Sequence, residues 1–273
     1  MREEATGDGI GEVDITVPSV ARMYDHYLGG KDNYAVDREA VAALDEVVPR
    51  TRALARNNRR FLQRVVRILA EDYGIRQFVD HGSGLPTQDN VHQVAQRTDP
   101  AARVVYIDSD PIVLAHGRAL LEENANTAVI QADMRDTEAI FDSPEVCRLI
   151  DMSEPVALLF ISVMHCIPDD SDPAAVVRRA LERVPSGSFV VLNQLVSHEK
   201  ETRDFVTDFM NSSTNGNWGR VREPQDVEPY FADLEVLEPG LVEINDWRPD
   251  SDLDARRLED ETWFEYGGVA RKP

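Results

Sequence analysis

The run Gln77-Phe78-Val79-Asp80-His81-Gly82-Ser83-Gly84-Leu85-Pro86-Thr87 combines an acid with a Gly-x-Gly turn. Two glycines let a backbone turn sharply and come close to a ligand where a Cβ would clash. An acid directly before that turn suits a cation. Two more acids close apolar runs. Asp108 follows Arg103-Val104-Val105-Tyr106-Ile107, and Asp133 follows Ala128-Val129-Ile130-Gln131-Ala132. A carboxylate ending the second strand of a nucleotide-binding unit can accept from both ribose hydroxyls. One ending the third strand is placed to accept from an adenine amino group. A fourth run, Val156-Ala157-Leu158-Leu159-Phe160-Ile161, closes in Ser162.

Such polar ends gather along one edge only if the runs are parallel strands separated by helices. The spacing predicts that βα alternation from residue 76 to about 196, with a fifth strand at Phe189-Val190-Val191-Leu192 after a helix near 173–183. Before it, the sequence predicts a mobile tail over 1–16 and three helices forming an N-terminal cap over 17–74. The first spans 20–28 and stops at Gly29-Gly30; the second spans about 36–48. The third, about 51–73, carries Leu54, Phe61, Leu62, Val65, Ile68 and Leu69 on one stripe. After the fifth strand come a helix near 200–213, a turn-rich stretch over 211–219 and an amphipathic piece near 227–231. Two late strand-like runs, 234–244 and 263–270, flank a polar, acidic loop and predict an antiparallel hairpin at the sheet edge. The predicted class is α/β, with the binding domain over 75–273.

The chain has 273 residues, 42% hydrophobic content and a net charge of −21. It is long enough for one large core and has no apolar run of the ~20 residues that span a bilayer. The acidity disfavours nucleic acid, whose non-specific binding relies on Lys and Arg neutralising phosphates. Two cysteines, Cys147 and Cys166, make neither a disulfide framework nor a metal cluster, which fits a reducing cytoplasm. Neither a membrane nor a nucleic-acid partner is expected, and the oligomeric state is open.

In a dinucleotide fingerprint a third glycine brings helix and strand together; here that position is Thr87, preceded by Pro86. Asp80 would sit badly against a pyrophosphate but well against the amino group of a methionine moiety. Acids before the loop, after strand two and after strand three fit S-adenosylmethionine better than a dinucleotide.

Asp80-x-Gly82-x-Gly84, Tyr106-Ile107-Asp108 and Ala132-Asp133 resemble the successive motifs of class I S-adenosylmethionine-dependent methyltransferases. More narrowly, the chain resembles an actinobacterial S-adenosyl methyltransferase family of unassigned substrate. The residues that carry this are Pro18-Ser19-Val20-Ala21-Arg22-Met23-Tyr24-Asp25-His26-Tyr27-Leu28-Gly29-Gly30-Lys31-Asp32-Asn33-Tyr34, Gly84-Leu85-Pro86-Thr87, Val104-Val105-Tyr106-Ile107-Asp108-x-Asp110-Pro111 and Tyr266-Gly267-Gly268-Val269-Ala270-Arg271. The resemblance covers nearly everything from Pro18 to Lys272. It implies a Rossmann-like, mostly parallel seven-stranded sheet with the cofactor across Gly82, Gly84, Asp108 and Asp133. The segment from Tyr24 to Asn33 would fold over the cofactor. The family frequently carries a Ser-His pair after the fifth strand, where Asn193 and Gln194 align here.

The expected cofactor contacts are Asp80, Gly82, Ser83, Gly84, Asp108, Ser109, Asp133, Met134 and Ser162, with Tyr24, Gly30, Lys31 and Asn33 from the N-terminal motif. Methyl transfer from a sulfonium is an in-line displacement in which protein groups position and desolvate the acceptor. His165, in Val163-Met164-His165-Cys166 after the fourth strand, is the candidate general base. No Asn/Asp-Pro-Pro-aromatic run follows that strand, and with the negative charge this points to a small-molecule acceptor. The alternatives are a non-catalytic S-adenosylmethionine-binding or protein-interaction module and an NAD-dependent oxidoreductase.

Overall fold

The structure, a computed structural model, describes residues 14–87, 89–120, 124–251 and 262–273. Most of the tail expected over 1–16, and most of the loop between the late strands, lie outside the described residues.

The apolar runs form strands β1 (Gln77–His81), β2 (Arg103–Asp108), β3 (Thr127–Gln131), β4 (Ala157–Ile161) and β5 (Phe189–Val196). β1 and β4 are buried at every position, as expected of strands covered on both faces. Strands β6 (Glu235–Val236), β7 (Val242–Glu243) and β8 (Phe264–Arg271) follow. Among the described residues the sheet order is β3-β2-β1-β4-β5-β8-β6, with β7 also on β8. β1 to β5 pair in parallel, whereas β8 is antiparallel to β5, β6 and β7.

The sheet differs from the expected one at its end. Among the described residues eight strands stand where seven were expected, because Pro239 and Gly240 interrupt the 234–244 run and leave two short strands. β8 is interior rather than at the edge, pairing with all eight residues of β5.

Helices α1 (Val20–Leu28), α2 (Ala35–Asp45) and α3 (Thr51–Asp72) lead into the sheet, and α4 (Val91–Thr98), α5 (Pro111–Leu120), α6 (Thr137–Phe141), α7 (Pro144–Leu149) and α8 (Pro173–Glu182) connect its strands. α9 (Lys200–Ser213) follows β5. α3 places Phe61, Leu62, Val65, Ile68 and Leu69 in one core with Phe78, Val104, Leu159 and Val191 of the sheet. A boundary at residue 74 therefore cuts through a packed layer. α1 and α2 form a separate small core with α9, Trp218 and Trp263. Between that core and the carboxyl ends of the parallel strands lies a cavity.

Candidate functional site

The strand order reverses beside β1: β2 and β3 lie on one side and β4 on the other. At such a switch point the loops leaving neighbouring strands diverge and open a crevice. Here the crevice is a cavity of about 760 Å³, within the roughly 300–1,000 Å³ typical of ligand sites.

Its floor is the glycine turn. Gly82 has φ +71°, and a Cβ there would meet Val163 Cγ2 at 2.3 Å, so the position excludes any larger residue. The Gly84 N–H donates to Asp108 Oδ2 at 2.8 Å, and the Asp110 N–H to Asp108 Oδ1 at 2.9 Å. Asp108 is thus oriented from both sides, and burial still raises its pKa to about 6. Asp80, only 4% exposed, is pushed to about 7 by burial, with Arg59 opposing and Asp108 adding to the rise. Both carboxylates line the cavity, and a cation entering it would restore their charge.

A dinucleotide would need the turn to feed a helix N-terminus. It does not: α4 begins only at Val91, after Leu85-Pro86-Thr87 and an Asn90 whose side chain folds back on Thr87 and Gln93. A backbone cradle closed by two buried acids fits a cationic, ribose-bearing ligand instead.

Gly82, Ser83, Gly84, Ser109, Asp133, Met134, Ser162 and Tyr24 line the same cavity as Asp80 and Asp108. Asp133 is already engaged there. β3 ends at Gln131, and the carboxylate accepts from the Arg135 N–H at 2.9 Å and from its guanidinium, which holds its pKa down.

Gly30, Lys31 and Asn33 are not brought to the cavity wall. They build a turn around Asp25. The Asp32 N–H and Asn33 Nδ2 donate to Asp25 Oδ2 at 3.0 and 2.7 Å. A Cβ on Gly30 would lie 1.8 Å from Asp25 Oδ1, so the glycine makes room for the carboxylate. Lys31 is exposed. Tyr24 of the signature lines the cavity, while its Gly30-to-Asn33 part shapes the roof. Arg22 completes it: its buried guanidinium holds Asp37 through Nε (3.1 and 2.9 Å) and donates to the Asp14 carbonyl. Ser19 Oγ donates to Asp110 Oδ2 at 2.5 Å and ties this strap to the loop after β2.

His165 lines the cavity but is unsuited to the role of base. It is 2% exposed, and burial drives its pKa to about 3. Its Nδ1 accepts from the Leu195 N–H at 3.3 Å, which leaves the ring proton on Nε2. It packs against Trp218 with ring centres 4.7 Å apart. The expected Ser-His comparison also shifts: Asn193 and Gln194 are inside β5, and Ser197-His198 directly follow it.

The sequence reading missed Glu265. It stands on β8, 3% exposed, and lines the cavity. Ser162 Oγ donates to its Oε1, and Asn193 Nδ2 to its Oε2 at 2.7 Å. Asn193 also reaches Asn58 Oδ1 at 2.8 Å, and Asn58 Nδ2 donates to the Tyr24 hydroxyl at 2.9 Å. This chain of polar groups crosses from β8 through β5 and α3 to α1. Burial raises Glu265 to about 7. Two signals could have revealed it. Glu265 shares the buried parity of β8 with Val269, and Asn58 interrupts the apolar stripe of α3.

Two solved structures share this architecture. One is a DUF574 family protein of Streptomyces avermitilis, 38% identical, with a TM-score of 0.89 over 96% of this chain and 100% of that one. The other, from Thermobifida fusca, is provisionally described as a methyltransferase. It is 39% identical with a TM-score of 0.89, over 98% of both chains. No curated protein matches the chain. The family model for S-adenosyl methyltransferases matches residues 7–273, the whole span that builds the glycine turn, its acids and the roof above them. The chain belongs to the S-adenosyl methyltransferase family, and is a methyltransferase that uses S-adenosylmethionine.

Proposed function

We propose that the protein methylates a small molecule held in the same cavity as the cofactor, beyond the glycine turn. One observation carries this reading. The cavity lined by Asp80, Gly84 and Asp108 is also lined by Leu54, Met210, Trp218 and Trp263. A binding module that only senses S-adenosylmethionine needs no apolar and aromatic lining beyond its cofactor contacts, whereas an enzyme needs a place for its acceptor.

The cofactor, when bound, supplies an electrophilic methyl group on sulfur. Asp108 takes the ribose hydroxyls, already oriented by the Gly84 and Asp110 N–H groups. Asp80 receives the amino group of the methionine part, and the cradle at Gly82 lets the backbone approach it. Ser109, Asp133 and Met134 flank the base, with the Asp133 carboxylate shared with Arg135. The strap from Asp14 to Ser19, tied down by Arg22 and Asp110, borders the cavity. The aromatic walls hold an acceptor of modest size.

Calorimetry with S-adenosylhomocysteine tests the assignment, with NAD as control. We expect binding of S-adenosylhomocysteine and none of NAD. Asp108→Ala should lose about tenfold to a hundredfold in affinity, as for a charge-assisted hydrogen bond. Unchanged affinity in Asp108→Ala would overturn the placement of the ribose.

A further inference from the structure

Glu265 is buried in the wall of the cavity with neutral donors on both oxygens. Ser162 holds one and Asn193 the other. Among the described residues no ion pair reaches it. A carboxylate taken out of water without a positive partner is costly, and it either keeps a proton or waits for a cation. Arg22 is matched with Asp37 and Arg135 with Asp133, and Asp80 and Asp108 are assigned to the cofactor. Glu265 is left to the ligand.

Its surroundings favour one kind of cation. Tyr24, Trp218 and Trp263 line the same cavity, and aromatic faces that share a site with a carboxylate suit an ammonium group. Ser162 adds a second sign of a built site. It adopts φ +53°, a conformation uncommon outside glycine. Its hydroxyl is fixed on Glu265, so the strained end of β4 and the carboxylate form one unit.

We propose that the methyl acceptor is an amine and that Glu265 receives its ammonium group and takes its proton. The inference rests on the methyltransferase reading of this cavity and names the substrate class. The ammonium R–NH₃⁺ gives one proton to the Glu265 carboxylate and becomes R–NH₂. The nitrogen lone pair then forms the N–C bond to the methyl group as the S–C bond breaks. The electron pair of that bond stays on sulfur, leaving a neutral thioether and R–NH₂⁺–CH₃. The Glu265 proton returns to solvent when product leaves. A side chain held near a pKa of about 7 by burial is matched to such a transfer. Of the titratable groups around it, burial holds Tyr24 on α1 and Cys166 after β4 at about 12 and keeps His165 neutral, while Asp80 and Asp108, which titrate in the same range, are taken up by the bound cofactor.

The test uses protein saturated with S-adenosylhomocysteine and calorimetric titration at pH 7.0 with benzylamine and tyramine. Their uncharged counterparts, benzyl alcohol and tyrosol, are the controls. We expect the amines to bind at least about tenfold more tightly than the alcohols. Glu265→Gln should abolish that preference while S-adenosylhomocysteine affinity stays within about threefold of wild type. Titrations in two buffers of different ionisation enthalpy give a readout that a merely structural role would not move. Amine binding should release about half a proton in wild type, where Glu265 is half protonated, and none in Glu265→Gln. Equal affinity for amines and alcohols, absent amine binding, or a preference that survives in Glu265→Gln would overturn the proposal. Loss of S-adenosylhomocysteine binding in wild type would instead sink the cofactor reading beneath it.

Discussion

At the scale of single residues, burial decides which side chains can do proton chemistry. His165 has the right element for a base, but it lies in an apolar wall and spends its Nδ1 lone pair on the Leu195 N–H. Burial works in the opposite direction on Asp80, Asp108 and Glu265, raising acids into the range where they exchange protons near neutrality. His165→Gln should therefore cost about 1–3 kcal/mol, for the unpaired Leu195 N–H and the disturbed packing on Trp218, and leave S-adenosylhomocysteine affinity unchanged. Nitrogen-15 NMR of the imidazole should show one neutral tautomer, protonated at Nε2, from pH 5 to 8. An imidazole titrating near 6.5 would contradict this.

At the scale of elements, the N-terminal signature folds as a scaffold. α1 ends at Gly29, the chain wraps Asp25 through the Asp32 N–H and the Asn33 amide, and α2 begins with Asp37 capping Tyr34 and holding Arg22. Asp25, Asp32 and Asn33 spend polar groups on one another, so this part of a specific motif need not be a ligand motif. Gly30→Ala should destabilise the protein by about 1–3 kcal/mol, since the new methyl must displace the Asp25 carboxylate. Lys31→Ala should change stability by less than about 0.5 kcal/mol, as for an exposed surface residue, and leave S-adenosylhomocysteine binding intact. Thermal melts and calorimetry on the two variants separate the readings; a large affinity loss in Lys31→Ala would return that side chain to the site. The same contrast explains what the sequence made legible. β1, β2, β4 and the turn at Gly82 are written in contiguous residues, so periodicity and the position of Asp80 and Asp108 reveal them. Glu265 is not: its partners Ser162 and Asn193 lie on β4 and β5, far along the chain, and meet it only because β8 inserts antiparallel beside β5. The split of the 234–244 run has a local signal in Pro239-Gly240; what the sequence does not show is that both halves, β6 and β7, pair with β8.

At the scale of the whole molecule, the cavity stores acid groups in a state that only a ligand relieves. Asp80, Asp108 and Glu265 have folded pKa values of about 7, 6 and 7, above their ordinary 3.8 and 4.5. The folded protein therefore binds more protons than the unfolded chain between about pH 4 and 7. For such groups the stability contribution is fully present below the unfolded value and is lost as pH rises through the folded value. The ligand-free protein should thus melt lower at pH 8 than at pH 5, by roughly 5 °C or more for a chain of this size. Self-repulsion from the net charge of −21 acts in the same direction, so variants are needed to isolate the cavity. Asp80→Asn and Glu265→Gln should each flatten the slope between pH 5 and 8, whereas Asp→Asn changes at exposed sites such as Asp204 should not. S-adenosylmethionine reverses the balance, because its cationic centres favour the ionised form of Asp80 and its ribose the ionised form of Asp108. Its stabilisation of the protein should grow from pH 5 to 8, with proton release on binding that is largest near pH 5, where both carboxylates are still protonated in the free protein, and that falls away toward pH 8. Differential scanning calorimetry with and without cofactor, across that range, checks both slopes; a melting temperature of the free protein that rises toward pH 8 would show that these carboxylates are not held protonated in the folded state.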